Sequence, residues 1–472
     1  MDSIETQIDR FFTPRSVVII GASRRPGRIG HIIVEQMVAA KFPGRLYLIN
    51  PKAAQDGRHI LGIKTYGSLK DCGGPIDLAV IAIPAKYVPD AMIDCLEKKI
   101  PNVIIVSGGF RESGPEGEKL EQQVLELAKK GNIRVLGPNC LGTFSPVTHI
   151  DTLFLPASTT PRPDVGRISF LTQSGSVGGS IMSFASNEDI GFSKFASFGN
   201  AIDVDEGDLI DYMEDDKDTQ VTGLYLESIN RGRKFIDICK RASKIKPIIV
   251  IKAGRSEAGT RAVTSHTGSL AGTDRIYDAA FEAAGVIRVR TIGEFFDVAR
   301  ALANQPPAKG NRIGVITSGG GFGVMTLDAL ADYNLTAPEL SDSLQKRLHT
   351  KLPYFYSVRN PVDLTGSATA EQFAFSMNTL LNANEIDGII VIPLFMTPLL
   401  DAEQVSQAIV EASEQRKKPV IVVSVPSTKE IRERMHKLRL AGVPSYHLPM
   451  RGARGMAALV EYGKIQGRSK KS

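Results

Sequence analysis

Two stretches far apart in the chain are variants of one segment: Arg167-Ile-Ser-Phe-Leu-Thr-Gln-Ser-Gly-Ser-Val-Gly178 and Arg312-Ile-Gly-Val-Ile-Thr-Ser-Gly-Gly-Gly-Phe-Gly323 share five of twelve residues. Each is an apolar, strand-like run that ends in a turn of small residues. Two further pairs follow in the same order, Gly223-Leu-Tyr-Leu-Glu227 with Gly388-Ile-Ile-Val-Ile392, and Lys246-Pro-Ile-Ile-Val250 with Lys418-Pro-Val-Ile-Val422. Matches that keep chain order predict an internal duplication, with the middle and last parts of the chain folding as copies of one unit. Short Val- and Ile-rich runs alternate with longer amphipathic stretches, the mark of βαβ units around a parallel sheet.

The same alternation precedes the copies. Ser16 to Gly21, Leu46 to Asn50, Leu78 to Ile83 and Val103 to Ser107 read as buried parallel strands, which predicts a doubly wound, Rossmann-like first domain. Pro156 to Pro163, rich in Pro, Ser and Thr, reads as a linker, and Gln305-Pro-Pro-Ala-Lys-Gly310 as a second break. Domains are therefore expected over residues 1–150, 164–303 and 311–466, as suits 472 residues at roughly 150 per domain.

Composition removes several classes of function. No run nears the roughly 18 apolar residues of a membrane span, and Met1 to Arg10 lacks the layout of a secretory leader, so a cytoplasmic protein is expected. The four cysteines are dispersed without a CxxC pair or histidines at ligand spacing, so neither a metal site nor a disulfide framework is expected. The net charge of +6 is spread among acids, which speaks against nucleic acid and suits phosphate-bearing small molecules.

Candidate ligand contacts fall at strand ends. The first strand runs into Gly21-Ala22-Ser23-Arg24-Arg-Pro-Gly27-Arg-Ile-Gly30 and then a helical pattern, a turn whose backbone N–H groups can approach a phosphate at a helix start. An NAD site wants an acid at the end of the second strand; here stands Asn50-Pro51-Lys52, and a cation there favours CoA or NADP. Ile83-Pro84, Ser107-Gly108-Gly109 and Gly137-Pro-Asn139-Cys140-Leu-Gly142 are further turns at the same edge. In the copies, Gln173-Ser174-Gly175-Ser176 and Ser318-Gly319-Gly320-Gly321 each follow a strand and open a helix, so each offers free N–H groups and a positive dipole end to an anion.

One histidine stands out. His266 lies in a long, small-residue, polar stretch from Gly254 to Ser269, read as a loop well beyond the usual connection in α/β units. A neutral imidazole can attack phosphorus when its other nitrogen is held by an acceptor, and Glu227 is the candidate acceptor. The second copy has Ile392 in place of Glu227 and no counterpart of the His266 stretch.

Together, Phe11-Phe-Thr-Pro-Arg-Ser-Val-Val-Ile-Ile-Gly-Ala-Ser23, Gly137 to Gly142, Ser174-Gly-Ser176, Ser265-His-Thr-Gly-Ser269 and Asn360-Pro-Val-Asp-Leu-Thr365 resemble the alpha subunit of ADP-forming acetyl-CoA synthetases and, more distantly, succinyl-CoA synthetase. The resemblance covers nearly the whole chain. It implies a Rossmann-like CoA-binding domain followed by two flavodoxin-like domains, and conversion of acyl-CoA, phosphate and ADP to acid, CoA and ATP through a phosphohistidine. On this resemblance His266 carries the phosphoryl group and Glu227 steadies it. Ser174 to Ser176 and Ser318 to Gly321 hold phosphate, and the first-domain turns with Lys52 hold CoA. No stretch remains for an ATP-grasp module, so ADP or ATP with Mg²⁺ is expected on a separate beta subunit, in an α2β2 assembly, with the His266 loop swinging between two sites. A CoA-binding regulator without turnover and an NADP-dependent oxidoreductase are the competing readings.

Overall fold

Three parallel-dominated sheets carry the chain, and the central strands are apolar runs buried over most or all of their length. The computed structural model describes residues 4–267, 274–397, 400–425 and 428–469. Its compact units are Met1–Val289 and Arg290–Ser472. Among the described residues no helix is long and apolar enough to cross a membrane.

The first unit holds two sheets. Strands β1 (Ser16–Ile20), β2 (Arg45–Ile49), β3 (His59–Ile60), β4 (Ile63–Tyr66), β5 (Leu78–Ile81), β6 (Asn102–Ile105) and β7 (Arg134–Leu136) are ordered β3-β4-β2-β1-β5-β6-β7. Apart from the short hairpin partner β3, this is the 3-2-1-4-5-6 order of a dinucleotide-binding sheet, with the reversal between β1 and β5. The β1 residues Val17, Val18 and Ile19 are fully buried, as a strand covered by helices on both faces requires.

The second sheet contains β8 (Gly142–Ser145), β9 (Ile150–Asp151), β10 (Val165–Thr172), β11 (Phe192–Ser197), β12 (Val221–Leu226), β13 (Ile248–Lys252) and β14 (Val286–Val289), ordered β14-β13-β12-β10-β11-β8-β9. Its parallel part follows the 2-1-3-4-5 flavodoxin-like order. Strands β8 and β9, expected with the first domain, instead extend this sheet antiparallel through Phe195↔Phe144. Pro156 to Pro163 is likewise no free linker: Arg162 binds Asp151 at 2.7 Å and the Leu155 carbonyl at 2.7 Å, and Thr160 is buried. One apolar cluster runs from Val17, Ile19 and Leu48 through Cys140 to Leu171, Leu224 and Val250, so both sheets share a core. Arg134 ties them further, reaching Asp203 at 2.9 Å and Asp208 at 3.0 Å.

In the second unit, β15 (Ile313–Thr317), β16 (Ser357–Val358), β17 (Val362–Asp363), β18 (Gly388–Ile392), β19 (Val420–Val423) and β20 (Ser445–Tyr446) are ordered β16-β17-β15-β18-β19-β20. Without the antiparallel β16 this is again 2-1-3-4-5. The helix Ile292–Asn304 belongs to this unit, and the break expected at Gln305 lies inside it: the Gln305 amide is buried between Ser413 and the Gly442 carbonyl.

The duplication extends to single atoms. Thr172 donates to the Ser174 carbonyl at 2.9 Å and accepts from the Ser174 N–H at 3.1 Å; Thr317 does the same with Gly319, both at 3.0 Å. A Cβ on Gly178 would stand 3.0 Å from the Thr172 methyl, and one on Gly323 would stand 3.1 Å from that of Thr317. Each copy thus packs its first helix on its first strand through the same Thr and Gly.

Candidate active site

The first-domain candidates follow the carboxyl ends of β1, β2, β5, β6 and β7, along one edge of the first sheet. Gly21 has φ +96°, and a Cβ there would lie 2.4 Å from the Ala82 carbonyl oxygen at the end of β5. A Cβ on Gly30 would lie 2.0 Å from the Gly21 oxygen, so only glycine lets the helix Ile29–Ala39 start against the turn. No side chain caps that helix, which leaves its first N–H groups to the edge. Arg24, Arg25, Arg28 and Lys52 are exposed beside it, with Arg24 3.5 Å from Asp56.

Several candidates shape these turns with side chains that are already engaged. The Asn50 amide donates to the Ala22 carbonyl at 2.7 Å and its oxygen caps Ala53, locking the two turns together. Ser107 donates to the Ile83 carbonyl. Cys140, expected at the ligand, faces the core, donates to the Ile105 carbonyl at 3.4 Å, and has its thiol pushed up by burial to about 12. It is inert as a nucleophile or ligand. Gly108 and Asn139 remain exposed next to Ile83 and Pro84, while Gly109 offers its N–H to Glu112 at 2.7 Å.

Glu112 belongs to a polar network that residue type alone did not reveal. The Asn200 amide donates to Glu112 and Glu121, each at 2.7 Å, and Arg111 donates to the Asn200 carbonyl. Asn200 follows β11, so this network fastens the first sheet's edge to the second sheet. Burial opposes ionisation of Glu112, but bonds from Asn200, Gly109 and Phe110 hold its carboxyl below the usual range.

In the second sheet, Ser174 caps the helix Gly175–Asn187, and its hydroxyl lies 3.2 Å from that of the exposed Ser176. Gln173, the first residue of this turn, joins it to Glu227. Its oxygen accepts from the N–H groups of Glu227 and Ser228, the latter at 3.0 Å, and its amide donates to the Ser228 carbonyl at 2.9 Å. Glu227, buried at the end of β12, therefore shares one strand edge with the Ser174 turn. Lys252 closes the neighbouring strand, donating to the Glu227 carbonyl at 2.8 Å and lying 4.3 Å from the Tyr277 ring centre.

His266 lies in a helix, Glu257–Thr267, where a loop was expected. Ser256 starts it by accepting from Gly259 at 3.1 Å through its hydroxyl and from Thr260 at 2.8 Å through its carbonyl. The imidazole itself, like Gly268 and Ser269, lies outside the described residues.

In the second unit, Gly319 to Gly321 open the uncapped helix Gly320–Asp332. A Cβ on Gly320 would lie 2.9 Å from Asp363 Oδ2, so the turn is built around that carboxylate. Ser318 is buried and accepts from the Leu394 N–H at 2.9 Å, which makes it a positioning residue. It corresponds to Gln173, and both side chains grip the backbone beyond the neighbouring strand.

Burial, with Arg288 adding repulsion, lowers the Lys252 ammonium to about 8. Between this value and its ordinary one near 10.5 the unfolded chain binds the extra proton, so the associated stability is present at high pH and lost as pH falls through about 8. The unfolding free energy of wild type relative to Lys252→Met is expected to rise by about 1–3 kcal/mol from pH 7 to 10.5, measured by urea denaturation.

Known protein families match along the chain. Residues 15–146 match a CoA binding domain, 165–302 a succinyl-CoA ligase like flavodoxin domain, and 313–459 a ligase-CoA domain. The acetate--CoA ligase [ADP-forming] I subunit alpha of Pyrococcus furiosus is 38% identical, over 98% of this chain and 99% of that one. The acetate--CoA ligase [ADP-forming] of Methanocaldococcus jannaschii is also 38% identical, over 96% of this chain but 63% of its own longer chain. A solved structure of the dinucleotide forming acetyl-coenzyme A synthetase 1 of Ca. Korarchaeum cryptofilum, in complex with phosphate and ADP, superposes with a TM-score of 0.89 at 34% identity, covering 98% of each chain.

Proposed function

This chain belongs to the alpha subunits of the ADP-forming acetate–CoA ligase family, and on that premise we propose that it converts an acyl-CoA and phosphate to free acid and CoA, passing the phosphoryl group through His266 to ADP. A phosphate oxygen attacks the thioester carbon, the C–S bond breaks, and CoA leaves as the thiol. The imidazole of His266 then attacks phosphorus, the acyl–oxygen–phosphorus bridge breaks on the phosphorus side, and the carboxylate departs. Finally a β-phosphate oxygen of ADP takes the phosphoryl group from nitrogen.

The observation that carries this reading is the Gln173 bridge, which puts Glu227 and the Ser174–Ser176 turn at one strand edge. That edge supplies N–H groups and hydroxyls for phosphate and a carboxylate to orient an imidazole. We assign CoA to Gly21–Gly30, Lys52 and the turns at Ile83, Ser107 and Asn139, with Asn50, Ser107 and Cys140 shaping these turns. Gly319 to Gly321 are assigned to phosphate.

The relatives named as alpha subunits imply a separate partner, and we assign ADP, ATP and Mg²⁺ to an ATP-grasp beta chain in an α2β2 assembly in the cytoplasm. Phosphoryl transfer needs near in-line approach at about 3 Å, so the Glu257–Thr267 helix must move between two sites. Luciferase-detected ATP from acetyl-CoA, phosphate and ADP is expected only when the ATP-grasp chain is added; none with both chains present would favour the non-catalytic regulator. Calorimetry is expected to show CoA binding and no NADPH binding, and the reverse would favour the oxidoreductase. Gly30→Ala, which forces a Cβ onto the Gly21 carbonyl, is expected to weaken CoA at least about 100-fold and to cost about 1–3 kcal/mol in stability.

A further inference from the structure

Beside the Ser174–Ser176 turn lies a cavity of about 490 Å³. Leu141, Phe154, Leu155 and Thr160 form one wall, and Gly175, Ser176 and Gly179 of the helix Gly175–Asn187 form the other. Among the described residues no charged side chain lines it. Leu141 is buried, whereas Phe154 and Leu155 are partly exposed. The Phe154 wall is held in place by Arg162, through its bonds to Asp151 and the Leu155 carbonyl.

We propose that this cavity seats the acyl side chain of the thioester, and that Gly179 facing Leu155 sets the largest acid accepted. The inference rests on the function proposed above. Phosphate held at the Ser174 turn attacks the thioester carbon, so that carbon lies within about 3 Å of the phosphate. The group attached to it continues into space beside the turn, and the cavity shares Gly175 and Ser176 with the turn. An acyl chain ending in a carboxylate would lose water there with no counter-ion, so charged acids are disfavoured. The volume lies in the roughly 300–1,000 Å³ range of sites for drug-sized molecules, far more than one methyl group fills.

Position 179 controls this space. A Cβ there would stand 2.8 Å from Leu155 Cδ1, the tip of a flexible side chain, so a larger residue narrows the cavity without meeting backbone. Specificity constants for acetyl-CoA and phenylacetyl-CoA, from phosphate-dependent CoA release by the complete two-subunit enzyme, test the assignment. Wild type is expected to use phenylacetyl-CoA at least as well as acetyl-CoA. Gly179→Val is expected to lower the phenylacetyl-to-acetyl ratio at least tenfold, and Leu155→Ala, which removes the facing tip, to raise it severalfold. Ratios unchanged in both variants, or a wild type that rejects phenylacetyl-CoA while using acetyl-CoA, would overturn the acyl assignment and leave the proposed function standing. A wild type that releases CoA from neither thioester would overturn both.

Discussion

Substituting His266 by alanine is expected to lower ATP formation from acetyl-CoA, phosphate and ADP by at least about 10⁴-fold, because losing the nucleophile of a covalent pathway removes the route itself. CoA release should behave differently. The attack of phosphate on the thioester precedes the histidine, so His266→Ala should still release CoA in phosphate-dependent fashion until acetyl phosphate reaches equilibrium. Following both products in one reaction, ATP by luciferase and thiol by a chromogenic disulfide, separates loss of phosphoryl transfer from loss of folding. If CoA release fell in parallel with ATP, the histidine would serve binding or structure.

Glu227→Gln carries the second largest expected effect, a fall of about 10²–10³-fold in ATP formation. Gln keeps the shape of the side chain but removes the charge that holds the imidazole in its attacking tautomer. The Gln173 bridge holds the backbone of residues 227 and 228 and is independent of the Glu227 carboxylate, so the thermal transition should stay in place. A carboxylate beside an imidazole favours its protonated form and raises its pKa. Removing the carboxylate should move the acid limb of the kcat/KM profile to lower pH, a shift that a purely structural role would not produce. Glu227→Asp should recover part of the rate. An unchanged pH profile in Glu227→Gln would assign Glu227 to packing.

The parts of this molecule legible in the sequence are those that repeat or that are buried on both faces. Strands such as Ser16–Ile20 and Ile313–Thr317 are rich in Val and Ile and buried along their whole length, and the paired segments at Arg167 and Arg312 correspond down to the Thr172 and Thr317 hydroxyl bonds. The edge strands Gly142–Ser145 and Ile150–Asp151 were not legible as members of the second sheet, because short antiparallel strands take their place from a distant partner, here Phe192–Ser197. Pro156 to Pro163 looked like a linker because Pro, Ser and Thr mark irregular backbone; what pins it is Arg162, whose ion pair with Asp151 depends on tertiary placement. The helix Glu257–Thr267 was hidden by small polar residues, although Ser256 followed by Glu257 was a legible start signal.

Within the candidate site, sequence located the turns but not the direction of each side chain. Asn50, Ser107, Cys140 and Ser318 have the chemistry of ligand contacts, yet their polar atoms are engaged by Ala22, Ile83, Ile105 and Leu394. The bridging role of Gln173 was illegible for the converse reason: a long amide at the head of a glycine turn resembles an ordinary surface residue until its partners on Glu227 and Ser228 are seen. Glycines were the more dependable guide, since Gly21 and Gly30 are required by carbonyl oxygens 2.4 and 2.0 Å from where a Cβ would sit.

Phosphopeptide mapping bears most directly on the central claim. The wild-type chain is incubated with acetyl-CoA and labelled phosphate, digested with trypsin at alkaline pH and analysed by mass spectrometry. One phosphoryl group, lost in acid and kept in base, is expected on the peptide 262–275, which contains His266 and no other histidine. Label on any other peptide, or acid-stable label on this one, would contradict His266 as the carrier.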